Sequence, residues 1–199
     1  MAKQNYMEQI AEPIEKSHTT DLISCINERR AVRRYADRPV NPGLVASVID
    51  AGKMAPSAMN RQPWRFYVLN TPGTIRVFSI QIASKLEGQF HLAHGQNPET
   101  TDDPIFHGAP VVIFLTGPRE DEWAPMDIGM CAQNMMLAAQ ALGLATCPIG
   151  LARFVEKTKV VASLPLAPTE KVMLAISLGY GLETPAPHPR VADNVVFIG

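Results

Sequence analysis

The sequence predicts a β-sheet covered by helices on both faces. Residues 111–116 and 171–180 are continuous apolar segments, which is typical of strands buried on both faces. Segments with the apolar spacing of helices lie between the predicted strands. A sheet that is apolar on both faces must be covered on both, and these helices provide the cover. The 199 residues suit one large domain with a substantial core.

Composition and charge limit the classes of function. A net charge of −1 at pH 7 gives no overall field that would attract nucleic acid or a membrane surface. The longest apolar run is shorter than the ~20 residues that cross a bilayer, and the first residues lack the pattern of a signal peptide. Cys25, Cys131 and Cys147 are scattered, without a CxxC pair, as expected of small core residues in a reducing compartment. We therefore expect a cytoplasmic protein that binds neither nucleic acid nor membrane.

The first third of the chain predicts an arm, two helices and a strand. Residues 1–19 are polar with weak periodicity and are expected to form a flexible arm before a single domain over residues 20–199. Residues 21–30 place three apolar side chains on one helical face. Residues 41–54 open with Asn-Pro, which is typical of a helix start. Residues 65–69, RFYVL, have the composition of a strand.

The next part of the chain predicts a helix followed by a long connection. Pro-Gly-Thr at residues 72–74 opens the helix. Its inward stripe is predicted to consist of Ile75, Phe78, Ile82 and Leu86. Residues 87–107 are polar and rich in Gly and His, and they form a connection long enough to act as a lid or substrate loop.

The segment 126–150 is central to the predicted organisation. Residues 126–142 contain good helix formers, no interrupting Pro and few polar side chains. A helix that is apolar on nearly every side needs cover all round, and a second subunit is a reasonable source of it. Residues 144–150 predict a short buried strand ending in Pro-Ile-Gly, where a backbone amide can approach a ligand. The alternative is simply a core helix followed by a core strand.

The last part of the chain predicts a helix, a strand and a tail. Residues 154–164 have the pattern of an amphipathic helix, and the strand 171–180 follows. The tail carries His188, Arg190 and an apolar end at residues 195–198. We expect that end to form a short strand docked on the core of its own chain or on a second subunit.

Several common catalytic and nucleotide-binding motifs are absent from the sequence. Gly-Tyr-Gly at residues 179–181 lacks the third glycine of a dinucleotide fingerprint, and Pro185 would block the helix that should follow. There is no GK[ST] phosphate loop and no GxSxG nucleophile elbow. His91, His94 and His107 have no carboxylate or Cys at metal-binding spacing, so no metal site is expected. Hydrolysis therefore has no visible nucleophile and base.

Two segments carry side chains suited to a ligand. Residues 29–34 place four arginines within six residues, and paired guanidinium contacts suit a phosphate. The alternative is a set of solvated cations that favour the dipole of the preceding helix. The loop 55–64 offers Ser57, Asn60 and Gln62, whose hydroxyl and amide groups suit a polar ring edge. Its alternative is a turn that packs the tryptophan of the loop on the core.

Four segments of the chain, taken in order, carry the side chains that suit a ligand or an interface. They are Arg29-Arg30-Ala31-Val32-Arg33, Pro56-Ser57-Ala58-Met59-Asn60-Arg61-Gln62-Pro63-Trp64, the helix 127–142 with Pro148-Ile149-Gly150, and Arg190. In order and spacing, from about residue 20 to the C-terminus, the chain resembles the FMN-dependent nitroreductase family. The loop with Asn-x-Gln-Pro-Trp is the most specific part of this resemblance.

The resemblance implies an α+β fold with a mixed sheet flanked by helices, in an intertwined homodimer whose long central helix lies at the interface. It implies two FMN sites at that interface, each built from both chains, with NADH or NADPH as a transient reductant. The expected activity is reduction of nitroaromatics, quinones or similar two-electron acceptors by ping-pong hydride transfer through flavin N5. Alternatives are another flavin reaction on the same scaffold (enone reduction, reductive dehalogenation or flavin fragmentation) and a non-catalytic FMN-binding module.

The resemblance also implies a set of cofactor-binding residues. Those expected at the FMN phosphate are Arg29, Arg33, Arg190 and His188. Those expected at the pyrimidine edge and ribityl chain are Arg30 and Ala31. Those expected from the other subunit are Ser57, Asn60 and Gln62. Those expected along the isoalloxazine are Pro148, Ile149 and Gly150, where a backbone N–H near Gly150 faces N5 and no catalytic side chain is needed.

Two positions depart from the family pattern. The family often has Ser where this chain has Ala31, so a hydroxyl contact to the flavin is missing. The C-terminal basic pair includes His188, so the hold on the phosphate is expected to be weaker or sensitive to pH. Met59, Arg61 and residues 87–107 occupy variable positions and are expected to shape the choice of acceptor.

Overall fold

The computed structural model describes residues 22–86, 103–192 and 194–198. The strands of the described chain are β1 (Arg65–Leu69), β2 (Val111–Pro118), β3 (Ala145–Ile149) and β4 (Glu170–Gly179). Its α-helices are α1 (Leu22–Glu28), α2 (Pro42–Lys53), α3 (Pro72–Ala83) and α4 (Ala124–Ala141). Its 3₁₀ helices are Ala58–Asn60, Gly150–Lys157 and Lys159–Ser163.

The strands form one sheet in the order β1-β2-β4-β3, and all neighbouring strands are antiparallel. β2 lies between β1 and β4, and its first seven residues are buried. Because side chains alternate between the faces of a strand, Ile113 and Leu115 enter one core while Val112 and Phe114 enter the other. The continuous apolar run of β2 therefore serves two cores at once.

Helices cover each face of the sheet, as the sequence predicts. On one face α2 and α4 contribute Val48 and Met135 to the core. On the other face α3 and the 3₁₀ helix Gly150–Lys157 contribute Phe78 and Val155. The Phe78 and Phe114 rings pack with their centroids 5.8 Å apart in a tilted arrangement.

The sheet becomes mixed at the outer edge of β3. There Ala31 forms an isolated parallel bridge with Thr146, and the Val32 N–H donates to the Thr146 carbonyl at 3.0 Å. The segment after α1 thus runs beside β3 in the same direction. The α+β class predicted from the sequence is confirmed, and in the described residues the parallel pairing of the predicted mixed sheet is limited to this bridge, because the four strands are antiparallel to one another.

α4 is the longest helix of the described chain, with 18 residues. It begins two residues earlier than the predicted residue 126, with Pro125 in its first turn, where the missing N–H has no intrahelical role. One face is buried against the sheet and α2, but the opposite face is not covered. Met126 on that face is 59% exposed, and Gly129 and Gln133 are also exposed. In the single chain this face of α4 is therefore open to solvent.

The other predicted elements between residues 22 and 86 and between 103 and 180 form close to their expected bounds, with one exception. Residues 154–164 were expected to form an amphipathic α-helix, and this prediction is wrong. The structure has two 3₁₀ helices there, interrupted at Thr158, whose backbone is extended (φ −111°, ψ 162°). The Thr158 hydroxyl donates to the Val155 carbonyl at 2.6 Å, which stabilises the break.

The tail does not form the predicted strand on its own core. Residues 195–198 have no regular structure, and Phe197 is 95% exposed. The predicted arm (1–19) and most of the predicted lid (87–102) lie outside the described residues. The last part of the lid forms a buried turn after Asp103, whose carboxylate accepts the Phe106 N–H at 2.9 Å. Among the described residues, no helix is long and apolar enough to cross a membrane.

Candidate functional site

The arginine-rich segment after α1 is held along the edge of β3. Beside the Ala31–Thr146 bridge, Tyr35 forms a second bridge with Gly181. The Tyr35 hydroxyl is buried and donates to the Val32 carbonyl at 2.7 Å. Burial raises the pKa of Tyr35 well above its ordinary value, so the phenol stays neutral and keeps this bond. The segment is therefore fixed at both ends.

Two guanidinium groups of this segment carry buried nitrogen atoms that lack an acceptor. Arg30 Nη1 donates to the carbonyls of Asn27 at 2.6 Å and of Arg29 at 2.9 Å. Arg30 Nε and Arg29 Nη1, however, are buried and have no hydrogen-bond partner in the described part of the chain. A buried cationic donor without an acceptor is costly. These residues therefore fit an anionic ligand that accepts from both.

Other predicted cations lie close to this pair. Burial lowers the pKa of Arg29, and the charges of Arg30 and Arg190 lower it further, which places the tail arginine near the cluster. Within the tail, Arg190 Nη1 donates to the backbone carbonyl of His188 at 3.2 Å. Arg33 is exposed, and its backbone N–H donates to Glu183 Oε1. The charge of a tail arginine more than 150 residues away along the chain thus acts on the arginine-rich segment.

The end of β3 offers open backbone beside these arginines. Gly150 is exposed, and a Cβ added there would meet no atom within 4 Å. As the first residue of a 3₁₀ helix, it has an N–H that the helix does not use. Ile149 is buried beneath it, and Pro148 is exposed. At about 3.3 Å per residue, this backbone lies roughly 13 Å along the strand from the Ala31–Thr146 bridge.

Cys147 lies between the arginines and the strand end but is inaccessible. Its side chain is 1% exposed. Burial raises the pKa of the thiol, although the charges of Arg33 and Arg29 act in the opposite direction. Burial also raises the pKa of Cys131 to about 12. Both cysteines are protonated core residues, as the sequence predicts.

The loop between α2 and β1 has an unusual backbone. Met59, Asn60 and Gln62 have positive φ angles of 52°, 54° and 48°. Residues other than Gly rarely adopt this left-handed backbone conformation. Each non-glycine residue held in it destabilises the fold by on the order of 1–2 kcal/mol. Asn60 and Gln62 are exposed. The loop therefore holds its two amide side chains outward in a strained shape.

Hydrogen bonds within the loop support that shape. Ser57 Oγ accepts the Gln62 N–H at 2.9 Å, and Gln62 Nε2 donates to Asn60 Oδ1 at 3.1 Å. The predicted site residues Ser57, Asn60 and Gln62 thus form one connected group. The Ser57 hydroxyl oxygen accepts a bond within the loop, and its O–H is still able to donate to a ligand.

Asp127 of α4 is a contact that the sequence analysis did not predict. It is 2% exposed, and its Oδ1 and Oδ2 accept the Ala58 N–H at 3.1 and 3.3 Å. Asp127 is the single charged residue of α4. A lone carboxylate in an otherwise apolar helix is the sequence signal that indicates a specific partner, since burial of an unpaired charge is costly.

The arginine segment and the amide-bearing loop do not meet within one chain. The loop leads into β1 and the arginines lie beside β3, which are the opposite edges of the sheet. With strands about 4.8 Å apart, three strand spacings separate these edges by roughly 14 Å. Each chain therefore presents two separate halves of the predicted site.

The fold and this geometry define an α+β protein with a cationic site beside open backbone at a sheet edge. Residues 26–180 match the model of the nitroreductase family. The match covers most of the 199 residues. The chain therefore belongs to the nitroreductase family, as the sequence analysis predicted.

Relatives and solved structures agree with this membership. A 4-nitrobenzoate reductase from Pseudomonas putida is 28% identical over 200 residues, covering 83% of this chain and 87% of that protein. A nitroreductase with bound FMN from Bacteroides fragilis superposes with a TM-score of 0.73 at 24% identity, covering 91% of this chain and all of that one (100%). The FMN- and NADPH-dependent nitroreductase NfnB from Sphigopyxis superposes with a TM-score of 0.75 at 23% identity. The match covers 90% of this chain and 100% of that one. At these identities the two structures show the shared fold.

Proposed function

We propose that this protein is an FMN-dependent NAD(P)H oxidoreductase that reduces nitroaromatics, quinones or similar two-electron acceptors. The observation that carries the proposal is the pair of buried guanidinium atoms, Arg29 Nη1 and Arg30 Nε, that lack an acceptor in the described chain. FMN offers an acceptor to each of them: its phosphate pairs well with the forked donors of Arg29, and the oxygens of its pyrimidine edge and ribityl chain can accept from Arg30. FMN-bound family structures and relatives that act on nitroaromatics support the same reading.

Each half of the site has a proposed role. Arg29, Arg33 and Arg190, with His188, bind the phosphate of FMN. Arg30 and Ala31 lie at the pyrimidine edge and the ribityl chain. Pro148, Ile149 and Gly150 line the flavin ring, toward which the Gly150 N–H donates. When bound, FMN supplies the two-electron chemistry that no side chain of this chain provides.

The chain's own contribution is binding, orientation and electrostatics. Cations and backbone donors beside the flavin favour the form that carries more negative charge. The nicotinamide and the acceptor would occupy the same space in turn, which is a ping-pong order. This explains why the described site contains no side chain with the features of a nucleophile or a general base.

A homodimer completes the site in this proposal. Ser57, Asn60 and Gln62 come from the partner, since they lie on the opposite sheet edge from the arginines. The single chain also leaves apolar surface open: Leu22 and Met54 are 61% and 81% exposed. They line a groove of about 380 Å³ together with Leu137 of α4. A second copy would cover this groove and the tail. In this proposal, residues 20–199 form one domain, and the protein is cytoplasmic.

The experiment is an anaerobic visible spectrum of the purified protein with FMN. We expect a yellow protein that is bleached by NADH or NADPH and regains its colour when a nitroaromatic is added. The absorbance near the flavin maximum is measured after each addition, and a panel of acceptors then ranks the substrates.

Other outcomes of this experiment separate the alternatives. A protein that takes up no FMN contradicts the proposal as a whole. A yellow protein that neither nicotinamide bleaches contradicts the oxidoreductase and supports a flavin-binding module. Bleaching without reoxidation by nitroaromatics or quinones supports a different flavin reaction on this scaffold.

A further inference from the structure

We infer that Asp127 is a positioning residue that holds the strained loop in the shape that presents Asn60 and Gln62 to the cofactor. This inference rests on the proposed function, because it assigns a purpose to the loop at the proposed FMN site. It concerns a residue that makes no contact with the arginine cluster. Asp127 acts through the Ala58 backbone.

The loop needs an external restraint. Met59, Asn60 and Gln62 all have positive φ, and no glycine lies between α2 and β1 to take up this conformation. Strained backbone persists only where surrounding contacts enforce it, and it is concentrated at ligand-binding sites. The two exposed amide side chains lie on the strained residues themselves.

Ala58 is the point at which the restraint is applied. Its N–H is held by both oxygens of Asp127. Its carbonyl accepts the Arg61 N–H and Arg61 Nε, each at 3.2 Å. The Arg61 guanidinium in turn pairs with Asp121, with Nη1 3.1 Å from Oδ2. The two residues that flank Met59 and Asn60 are thereby tied to α4 and to the connection before it.

The anchor itself is rigid. Asp127 lies in the first turn of α4, next to Ile128, which is fully buried in the core. Its carboxylate is therefore fixed relative to the sheet, and the Ala58 N–H is fixed relative to the carboxylate. Without this bond, Met59 and Gln62 would relax toward negative φ and turn the amide groups away. The bond thus preorganises a binding surface before the cofactor arrives.

The test compares Asp127→Ala and Asp127→Asn for FMN affinity and for the visible circular dichroism of bound FMN. We expect Asp127→Ala to raise the dissociation constant for FMN at least tenfold, which is about 1.4 kcal/mol, and to alter the dichroism. Asp127→Asn should stay within about threefold of wild type, because the amide oxygen still accepts the Ala58 N–H. Ser79→Ala is the matched control: Ser79 lies in α3, which packs on the other face of the sheet from α4, and the variant loses a buried hydrogen bond to Asp103 but should keep wild-type FMN affinity.

The result that overturns the inference is wild-type affinity and dichroism in Asp127→Ala. An equal rise in the dissociation constant for FMN in Asp127→Ala and Asp127→Asn also overturns the inference, since the Asn variant retains the acceptor. If Asp127→Ala does not fold, Asp127→Glu displaces the carboxylate by one methylene and should weaken FMN binding in the same way. Failure of wild-type protein to bind FMN would instead reject the proposed function and is measured first in the same titration.

Discussion

At the scale of single residues, the informative atoms are those with unmet hydrogen-bonding capacity. Arg29 Nη1 and Arg30 Nε are buried without an acceptor in the described chain, while most other polar atoms around them are paired. Burial lowers the pKa of Arg29, and the like charges of Arg30 and Arg190 lower it further. Such an arrangement is stabilised by binding rather than by folding.

Replacement of one of these arginines should weaken cofactor retention. We expect Arg29→Ala to raise the dissociation constant for FMN by ten- to a hundredfold, because a charge-assisted hydrogen bond contributes about 1.5–3 kcal/mol. Quenching of FMN fluorescence during titration measures this dissociation constant. Arg76→Ala, which removes an exposed arginine of α3, is the control and should bind FMN normally. Unchanged flavin content of Arg29→Ala after dialysis would reject the phosphate assignment.

The sequence predicted the charged site residues better than their supporting contacts. Clustered arginines are visible as a run of identical side chains, so residues 29–34 were identified directly. The role of Asp127 was not predicted, because its partner is a backbone N–H 69 residues away and no local pattern indicates it. Strain at Met59 and Gln62 was also not predicted, since neither residue type favours positive φ.

At the scale of elements, a buried carboxylate at the start of β4 links three strands of the sheet. Glu170 is 7% exposed and accepts from Thr116 of β2 at 2.8 Å and from Tyr67 of β1 at 3.1 Å. It also accepts the Ala167 N–H at 2.9 Å. Burial acts to raise the pKa of Glu170, but these bonds outweigh it and hold the pKa below its ordinary value of 4.5.

This carboxylate should make stability depend on pH. Because its folded pKa is lowered, Glu170 stabilises the fold above pH 4.5, and this contribution is lost as the pH falls through the folded value. We expect Glu170→Ala to reduce the free energy of unfolding by about 2–3 kcal/mol at pH 7, with a smaller difference from wild type at pH 3. Urea unfolding of wild type and variant at pH 7 and pH 3 measures the difference in the free energy of unfolding at each pH. Glu120→Ala, at an exposed site, should show neither effect; a constant loss across pH in Glu170→Ala would contradict the argument.

The strands were predicted more accurately than the 3₁₀ segments for a physical reason. A doubly buried strand such as β2 needs a continuous apolar run, and few other structures tolerate one. Residues 154–164 have an apolar stripe that an α-helix and a 3₁₀ helix can both bury. The interruption depends on Thr158, whose hydroxyl bond to Val155 is not apparent from composition.

At the scale of the whole molecule, the single chain leaves several apolar groups exposed. The outer face of α4, the groove with Leu22 and Met54, and the tail end with Phe197 are all uncovered. Large exposed apolar patches usually mark an interaction site. The sequence predicted the need for cover from α4 alone, but it could not predict which residues would surround the helix.

A charge placed in the groove should prevent association. We expect Leu137→Glu to be monomeric at concentrations where wild type is dimeric, because an unpaired carboxylate would be buried at the interface. Sedimentation velocity measures the mass, and the same sample should retain less FMN. Val77→Glu is the control, since Val77 is 51% exposed on α3 away from the groove. A Leu137→Glu dimer with full flavin content would show that this groove is not the interface.

The separation of the arginines and the amide-bearing loop on opposite sheet edges has a thermodynamic consequence in the proposed dimer. Assembly and cofactor loading become linked equilibria, since each FMN is bound by groups from two chains. Dilution would then release flavin, and a shortage of flavin would favour separate chains. The supply of one small molecule would thereby set how many subunits are paired at any moment.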